Sequence, residues 1–275
     1  MSKRFNSSLS NNLIKSEIFK KNNSAIRSIL LKKLKIKNFL IIESENDSNI
    51  QKNIVNISKC LGNLVSQNKN GIKLLKIKPK KNIKTYNDKQ KKKILRYHQT
   101  NLGGSIHSDG PQLDTPPNYV AMACLNQAEK GGSSVLTDTR LIFRYLNKKN
   151  KEVLNTLKKK FPFEKRGFSK NGKLSNKIIL KPIFELKNRT LRFRYLRDYI
   201  ESGYRSKNYK ITKQIKKSFN VLDSLLEKRR FIKKFKLNKG DILILDNRYM
   251  AHGRTKFQFD KKGHNSRVLL RTWIK

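Results

Sequence analysis

The sequence has only two cysteines, Cys60 and Cys124, and they form no CxxC pair. That scarcity excludes a disulfide framework and a zinc knuckle and fits a reducing compartment. No apolar run reaches the length of a membrane span. The start, MSKRFNSSLSNNLIK, lacks the apolar centre of a secretory signal, although a transit peptide shares its basic composition. The expected setting is therefore the cytoplasm. No internal repeat is evident.

Acidic residues are scarce too: 19 Asp and Glu face 65 Lys and Arg, a net charge of +46. Such an excess usually marks a nucleic-acid or anionic-membrane partner. Here lysine is spread along almost the whole chain beside abundant Asn and Ile, whose codons are A/T-rich, so genome composition is an equally good cause. Either origin implies non-specific attraction to anions that weakens with salt. An apolar fraction of 36% and an aromatic fraction of 9% suffice for a globular protein. At 275 residues a full core fits one domain, and a single domain over 1–275 is expected.

Residues 1–30 read as a polar, partly ordered segment merging into a helix through SAIRSILLKKLKIKN. NFLIIES is a short buried strand. Asp47 and Ser48 can cap the helix that follows, in which Ile50, Ile54 and Ile57 keep one face apolar until Leu61 and Gly62. GIKLLKIKPKK restores a strand, and Thr85 to Lys93 form a Lys-rich linker. Tyr119 to Leu125 and Ser134 to Thr137 read as two antiparallel strands joined by a turn at Gly131 and Gly132. Residues 141–235 read as a helical insertion between core strands, with an amphipathic helix at ITKQIKKSFNVLDSLLEKRRF. Within it RFRYLRDY interleaves basic and aromatic residues, as nucleic-acid binders or a half-exposed strand do. GDILILDN and SRVLLRTWI supply the last strands. Strands dominate the chemical regions and helices lie before and between them. The expected fold is therefore mainly β with flanking helices, around a β-barrel or jelly-roll core.

The stretch IHSDGPQLDTPP places His107 two residues before Asp109, so a strand would turn both side chains to one point. A metal needs a third ligand, and His252 in DNRYMAHGR offers it. Two histidines and one carboxylate on one face leave the open positions used by non-haem Fe(II) oxygenases. Arg267, on the terminal strand, can hold a carboxylate bidentately. The remaining histidines, His98 and His264, have no ligand-like spacing. Cys124 sits in an apolar strand without a neighbouring base.

Together these motifs resemble the taurine dioxygenase and clavaminate synthase-like family of Fe(II)/2-oxoglutarate-dependent oxygenases. The likeness runs from NFLIIES to CLGNL, through IHSDGPQLDTPPNYVAMACLNQAEKGGSSVLTDT, to GDILILDNRYMAHGR and RVLLR. It implies a double-stranded β-helix and iron held by His107, Asp109 and His252. It also implies 2-oxoglutarate held by Arg267 with Ser134 beside it, and O2 as the second cosubstrate. Ser134 stands where the family often has threonine. The implied reaction is decarboxylation of 2-oxoglutarate coupled to oxidation of a small molecule, such as an amino acid or natural-product intermediate. Arg271, four residues after Arg267, matches a position that some members turn to an anionic substrate group. Gln112 and Ser105 are further expected cavity residues. Two rivals remain: a nucleic-acid demethylase with the same iron chemistry, which requires a basic groove converging on the metal, and a non-catalytic basic binding protein. The oligomeric state and the primary substrate are not encoded in these motifs.

Overall fold

Period-two burial along the strands decides where the layers go. In ILILD, Ile242 and Ile244 enter one apolar cluster while Leu243 and Leu245 enter another. A strand buried on both faces needs a layer on each side.

The computed structural model describes residues 7–43, 49–68, 70–79, 101–165, 177–188, 190–258 and 267–275. Two 3-10 turns, Ser7–Asn12 and Ser16–Lys20, flank β1 (Leu13–Ile14). Then come α1 (Asn23–Lys37), β2 (Phe39–Ile42), α2 (Ile50–Leu61), β3 (Leu64–Val65), β4 (Leu74–Ile77) and β5 (Gly104–His107). β6 (Tyr119–Asn126) and β7 (Ser134–Asp138) lead into α3 (Thr139–Lys149), α4 (Lys151–Leu157), β8 (Lys160–Glu164), β9 (Ile178–Pro182), β10 (Phe184–Lys187) and β11 (Thr190–Phe193). The chain continues through α5 (Arg197–Ser206), α6 (Lys213–Glu227), β12 (Ile232–Phe235), β13 (Ile242–Asp246), β14 (Met250–Arg254) and β15 (Val268–Ile274). The expected Asp47/Ser48 cap, the Thr85–Lys93 linker, His98 and His264 lie outside the described residues.

Among the described residues a seven-stranded sheet runs β1-β2-β13-β6-β15-β3, with β4 also on β15, and a four-stranded sheet runs β12-β7-β14-β5. Between them lies a core in which Phe39, Val120, Met122, Leu243, Leu269 and Trp273 meet Leu136, Phe235 and Met250. The outer face of the large sheet is covered by α1 and α2 through Leu30, Leu34, Ile54 and Ile57. The outer face of the small sheet, through Ile106, Val135 and Ala251, is covered by the segment from α3 to α6. This is the double-stranded β-helix with flanking helices that the motifs imply.

Three local expectations change. The segments at 119–126 and 134–138 are strands, but they do not pair: β6 lies between β13 and β15, whereas β7 lies between β12 and β14. Gly131 and Gly132, at φ +74° and +73°, carry the chain from one sheet to the other. The polar start is more built than expected, because Leu9, Ile14 and Ile18 are buried and β1 pairs in parallel with β2. In RFRYLRDY the strand ends at Phe193 and a helix begins at Arg197. Among the described residues no helix is long and apolar enough to cross a membrane.

Candidate metal centre and its cavity

His107 is the last residue of β5 and His252 the middle of β14, and the two are direct cross-strand partners. Their rings lie 4.7 Å apart, centroid to centroid. Asp109 sits beyond the strand end, in the turn at Gly110, so its approach comes from the loop and not from strand alternation. Its backbone is held from both sides: Asp109 N–H donates to Asn247 Oδ1 at 2.8 Å, and Asn247 Nδ2 donates to the carbonyls of Asp109 and Pro117. One ligating atom from each of His107, Asp109 and His252 falls within 4.8 Å of the others, and all three residues are buried.

Electrostatics prepare this trio for a cation. Burial pushes the His252 imidazole down to about 3, and burial also lowers His107, so both rings are neutral donors near pH 7. His107 Nδ1 lies 2.9 Å from the Ser105 carbonyl, which fixes that nitrogen as the N–H and leaves Nε2 with its lone pair. Burial by itself would raise the Asp109 carboxyl, but the Arg271 guanidinium, followed by the two imidazoles, holds it below the usual range. Arg271 Nη1 donates to Asp109 Oδ1 at 2.8 Å, which leaves Oδ2 buried without a hydrogen-bond partner, 3.7 Å from His252 Nε2. An ionised, unsatisfied oxygen between two neutral imidazoles fits a divalent metal of borderline hardness such as Fe(II).

The cavity around the trio is lined by Ser134, Gln112, Arg254, Arg267 and Arg271, and on another side by Leu196, Asp198 and Tyr199. Arg267 is buried and its Nε donates to the Gly132 carbonyl at 3.1 Å. A Cβ on Gly132 would lie 3.0 Å from Arg267 Cδ, and one on Gly131 only 2.1 Å from the Lys256 carbonyl oxygen. The double glycine thus seats the arginine as well as turning the chain. Arg271 reaches the cavity as expected, but its guanidinium is engaged by Asp109, by Gln67 Oε1 at 2.7 Å and by the Trp273 ring. Gln112 is buried in the wall. Ser105 does not line this cavity: its side chain is exposed, and only its carbonyl serves the site, through His107. The reason is a bulge, since His252 pairs with His107 but Arg254 pairs with Gly104, and three residues of β5 answer two of β14.

Four contributors were not singled out from the sequence. Arg254 shares the inner face with His252 two residues earlier, a relation that strand alternation in HGR would have exposed. Asn247 follows the strand as a loop amide, and Gln67 comes from the β3–β4 connection with no motif around it. Tyr195 exchanges hydrogen bonds with Ser108, the residue between the two metal-side ligands: Ser108 N–H donates to the Tyr195 carbonyl, and Tyr195 N–H donates to Ser108 Oγ. The basic side chains of RFRYLRDY are likewise occupied within the fold. Arg194 donates to the Leu113 and Asp114 carbonyls, and Arg197 donates to Glu201, Asn220 and Asp223.

Residues 65–273 match the taurine catabolism dioxygenase TauD, TfdA family. The chain belongs to that family. Among relatives of the TauD/TfdA chain, FR-33289 synthase of Streptomyces rubellomurinus is 26% identical over 218 residues, which is 78% of this chain and 60% of that enzyme. The chain thus spans less than two thirds of that relative. A solved asparagine oxygenase, in complex with Fe(II), 2S,3S-3-hydroxyasparagine and succinate, is similar at TM-score 0.69 and 14% identity, over 91% of this chain and 79% of its own. The non-haem iron oxygenase OrfP, in complex with Fe and alpha-ketoglutaric acid, is similar at TM-score 0.63 and 13% identity, over 91% and 79%. At these identities the likeness is one of fold, the same double-stranded β-helix.

Proposed function

We propose that this TauD/TfdA-family chain is an Fe(II)/2-oxoglutarate-dependent dioxygenase, a single oxygenase domain that hydroxylates or otherwise oxidises a small molecule. The observation that carries the reading is the unsatisfied Asp109 Oδ2 beside two neutral imidazoles, in a cavity that also holds Arg267. His107, Asp109 and His252 would hold the iron. Iron bound with 2-oxoglutarate and O2 supplies oxidative decarboxylation of the cosubstrate coupled to attack on a C–H bond. The chain's own work is positioning. Arg267, buried against the Gly132 carbonyl, would pair its guanidinium with the distal carboxylate, and Ser134 lines the same cavity with a hydroxyl. Arg271 keeps Asp109 ionised and occupies one of its oxygens, so that the other is the one presented to metal.

An amino acid or natural-product intermediate is the substrate class this reading favours. OrfP was solved in complex with Fe and L-Arg and asparagine oxygenase with a hydroxyasparagine, and the relative matched by sequence is FR-33289 synthase. The nucleic-acid alternative needs a basic groove leading to the metal. No lysine lines the cavity among the described residues, and its three arginines are buried. A chain that only bound anions would have no use for an ionised carboxylate between two neutral imidazoles.

The test is direct. Anaerobic addition of Fe(II) and 2-oxoglutarate should give the weak visible charge-transfer band of the chelate, and air should then yield succinate. A chain that gives neither the band nor succinate is not this enzyme.

A further inference from the structure

The wall of the cavity contributed by α5 carries a chemistry that the metal and the cosubstrate do not use. Five charged residues line the cavity: Asp109, Asp198, Arg254, Arg267 and Arg271. Asp109 is taken by Arg271. Asp198 is the second carboxylate, in a chain where basic residues outnumber acidic ones by more than three to one. It makes no hydrogen bond or ion pair with the described residues, although Arg197 is its neighbour in sequence. Arg197 is turned away, spent on Glu201, Asn220 and Asp223. Asp198 is nevertheless near enough for its charge to act on the His107 imidazole.

The helix that carries it is fixed in place. α5 follows directly on Tyr195, which is spliced to Ser108 by two hydrogen bonds, and Gly203 packs so closely on β8 that a Cβ there would lie 2.0 Å from the Pro162 carbonyl oxygen. Farther down the helix Ser202 donates to the buried Glu164 carboxylate. The helix is thus firmly placed, and it carries the Asp198 carboxylate exposed at the cavity rim, open to a ligand.

A second group points to the same kind of ligand. Gln112, on the loop just past Asp109, is 4% exposed and lines the cavity, and its Oε1 is buried without a hydrogen-bond partner. A buried acceptor left unmet is costly until a donor arrives. Arg254 is on β14, Arg271 on β15 and Arg267 immediately before it, and Ser134 is on β7, whereas the two open acceptors come from α5 and the metal loop. The elements that bring arginines suit carboxylates, and those that bring Asp198 and Gln112 suit a charged N–H donor.

We propose that the primary substrate carries a cationic nitrogen, an ammonium or guanidinium group, received by the Asp198 carboxylate and the Gln112 side-chain oxygen. The inference rests on the oxygenase reading and adds the substrate's charge to it. The same carboxylate has an ordinary use in the first turn of a helix, where it offsets the helix dipole, so the test has to separate binding from stability.

The purified full chain, with Fe(II) and 2-oxoglutarate, is offered matched compounds that differ in the cation: L-arginine against L-citrulline, L-lysine against L-norleucine, and each amino acid against its N-acetyl derivative. Succinate formation is measured on all of them, calorimetric binding on the metal-free chain, and thermal melting on parent and variants. The expected result is stimulation of succinate formation that falls when the cation received by Asp198 is removed, the side-chain cation in citrulline and norleucine or the α-ammonium in the N-acetyl derivatives. Stimulation should be absent with N-acetyl-citrulline and N-acetyl-norleucine, which carry no cationic nitrogen. Asp198→Asn should raise both KM and Kd for the best compound at least tenfold, Gln112→Leu should raise them about fivefold, and Asp198→Glu should restore part of the loss. The KM for 2-oxoglutarate should stay within twofold of the parent. The inference is overturned if the best compound has no cationic nitrogen, or if Asp198→Asn lowers the melting temperature while leaving KM and Kd in place. Absence of any succinate, with or without a compound, would instead remove the oxygenase reading itself.

Discussion

The two sides of the cavity were written into the chain in different ways. The metal side is built from one strand end, one strand centre and one tight loop: His107 closes β5, His252 faces it from β14, and Asp109 follows His107 within two residues. Its residue types are dictated by coordination chemistry, and their spacing survives in the sequence as HxD and HGR. The α5 side belongs to the segment between β7 and β12, and it presents Leu196, Asp198 and Tyr199. Nothing about those three residues is chemically unusual until the fold brings them to the cavity. Iron chemistry constrains the first side tightly, while substrate shape and charge can be met by many walls.

The contrast can be pressed hardest on the metal side. His107→Ala should lower Fe(II) affinity at least about 100-fold, read by equilibrium dialysis, because it removes a direct ligand, where loss of a supporting partner costs roughly 10- to 100-fold. If iron bound the variant as tightly as the parent, the trio would not be the metal site. Arg267→Ala should leave iron in place and raise the 2-oxoglutarate requirement about 10- to 150-fold. That is the loss of a charge-assisted clamp worth roughly 1.5–3 kcal/mol. An unchanged cosubstrate KM would reassign the buried guanidinium. The smallest effect, and the one that bears on the boundary between the two sides, is Ser108→Ala. It leaves the buried Tyr195 N–H unmatched and should cost about 1–3 kcal/mol of stability in denaturant melts, with Fe(II) affinity falling less than in His107→Ala. Equal losses of iron in the two variants would mean that the sides act as one unit.

Much of the architecture was legible because the strands alternate so cleanly. Burial of Ile242 and Ile244 on one face, and of Leu243 and Leu245 on the other, is written in the residue types themselves. The amphipathic helices at Ile50–Leu61 and Lys213–Glu227 were visible for the same reason. Pairing was less legible. Gly131 and Gly132 look like a hairpin turn, but a positive φ at two glycines serves a crossing between sheets equally well, and only the partners of β6 and β7 decide. Ser105 misled because alternation was assumed through a bulge, and one extra residue in β5 was enough to turn its side chain outward. Arg271 was legible as a cavity arginine but not as the partner of Asp109, since that contact spans 162 residues and leaves no local trace. Asn247 and Gln67 are similar cases: an amide used as a bracket between distant backbones is indistinguishable, in sequence, from one facing water.

The bracket at Asn247 has a consequence in time. Asp109 is held by a side chain 138 residues farther along the chain, its carboxylate by one 162 residues farther, and the loop behind it by Tyr195. While the chain is being synthesised, His107 and Asp109 are among the early arrivals, yet they cannot adopt their final geometry until β13, β14 and β15 have left the ribosome and joined the sheets. Contacts of such long sequence separation form late, after loop-closure entropy has been overcome. Metal capture is therefore a closing event of folding, and a nascent chain that has only His107 and Asp109 of the trio holds no competent site with which to collect iron prematurely.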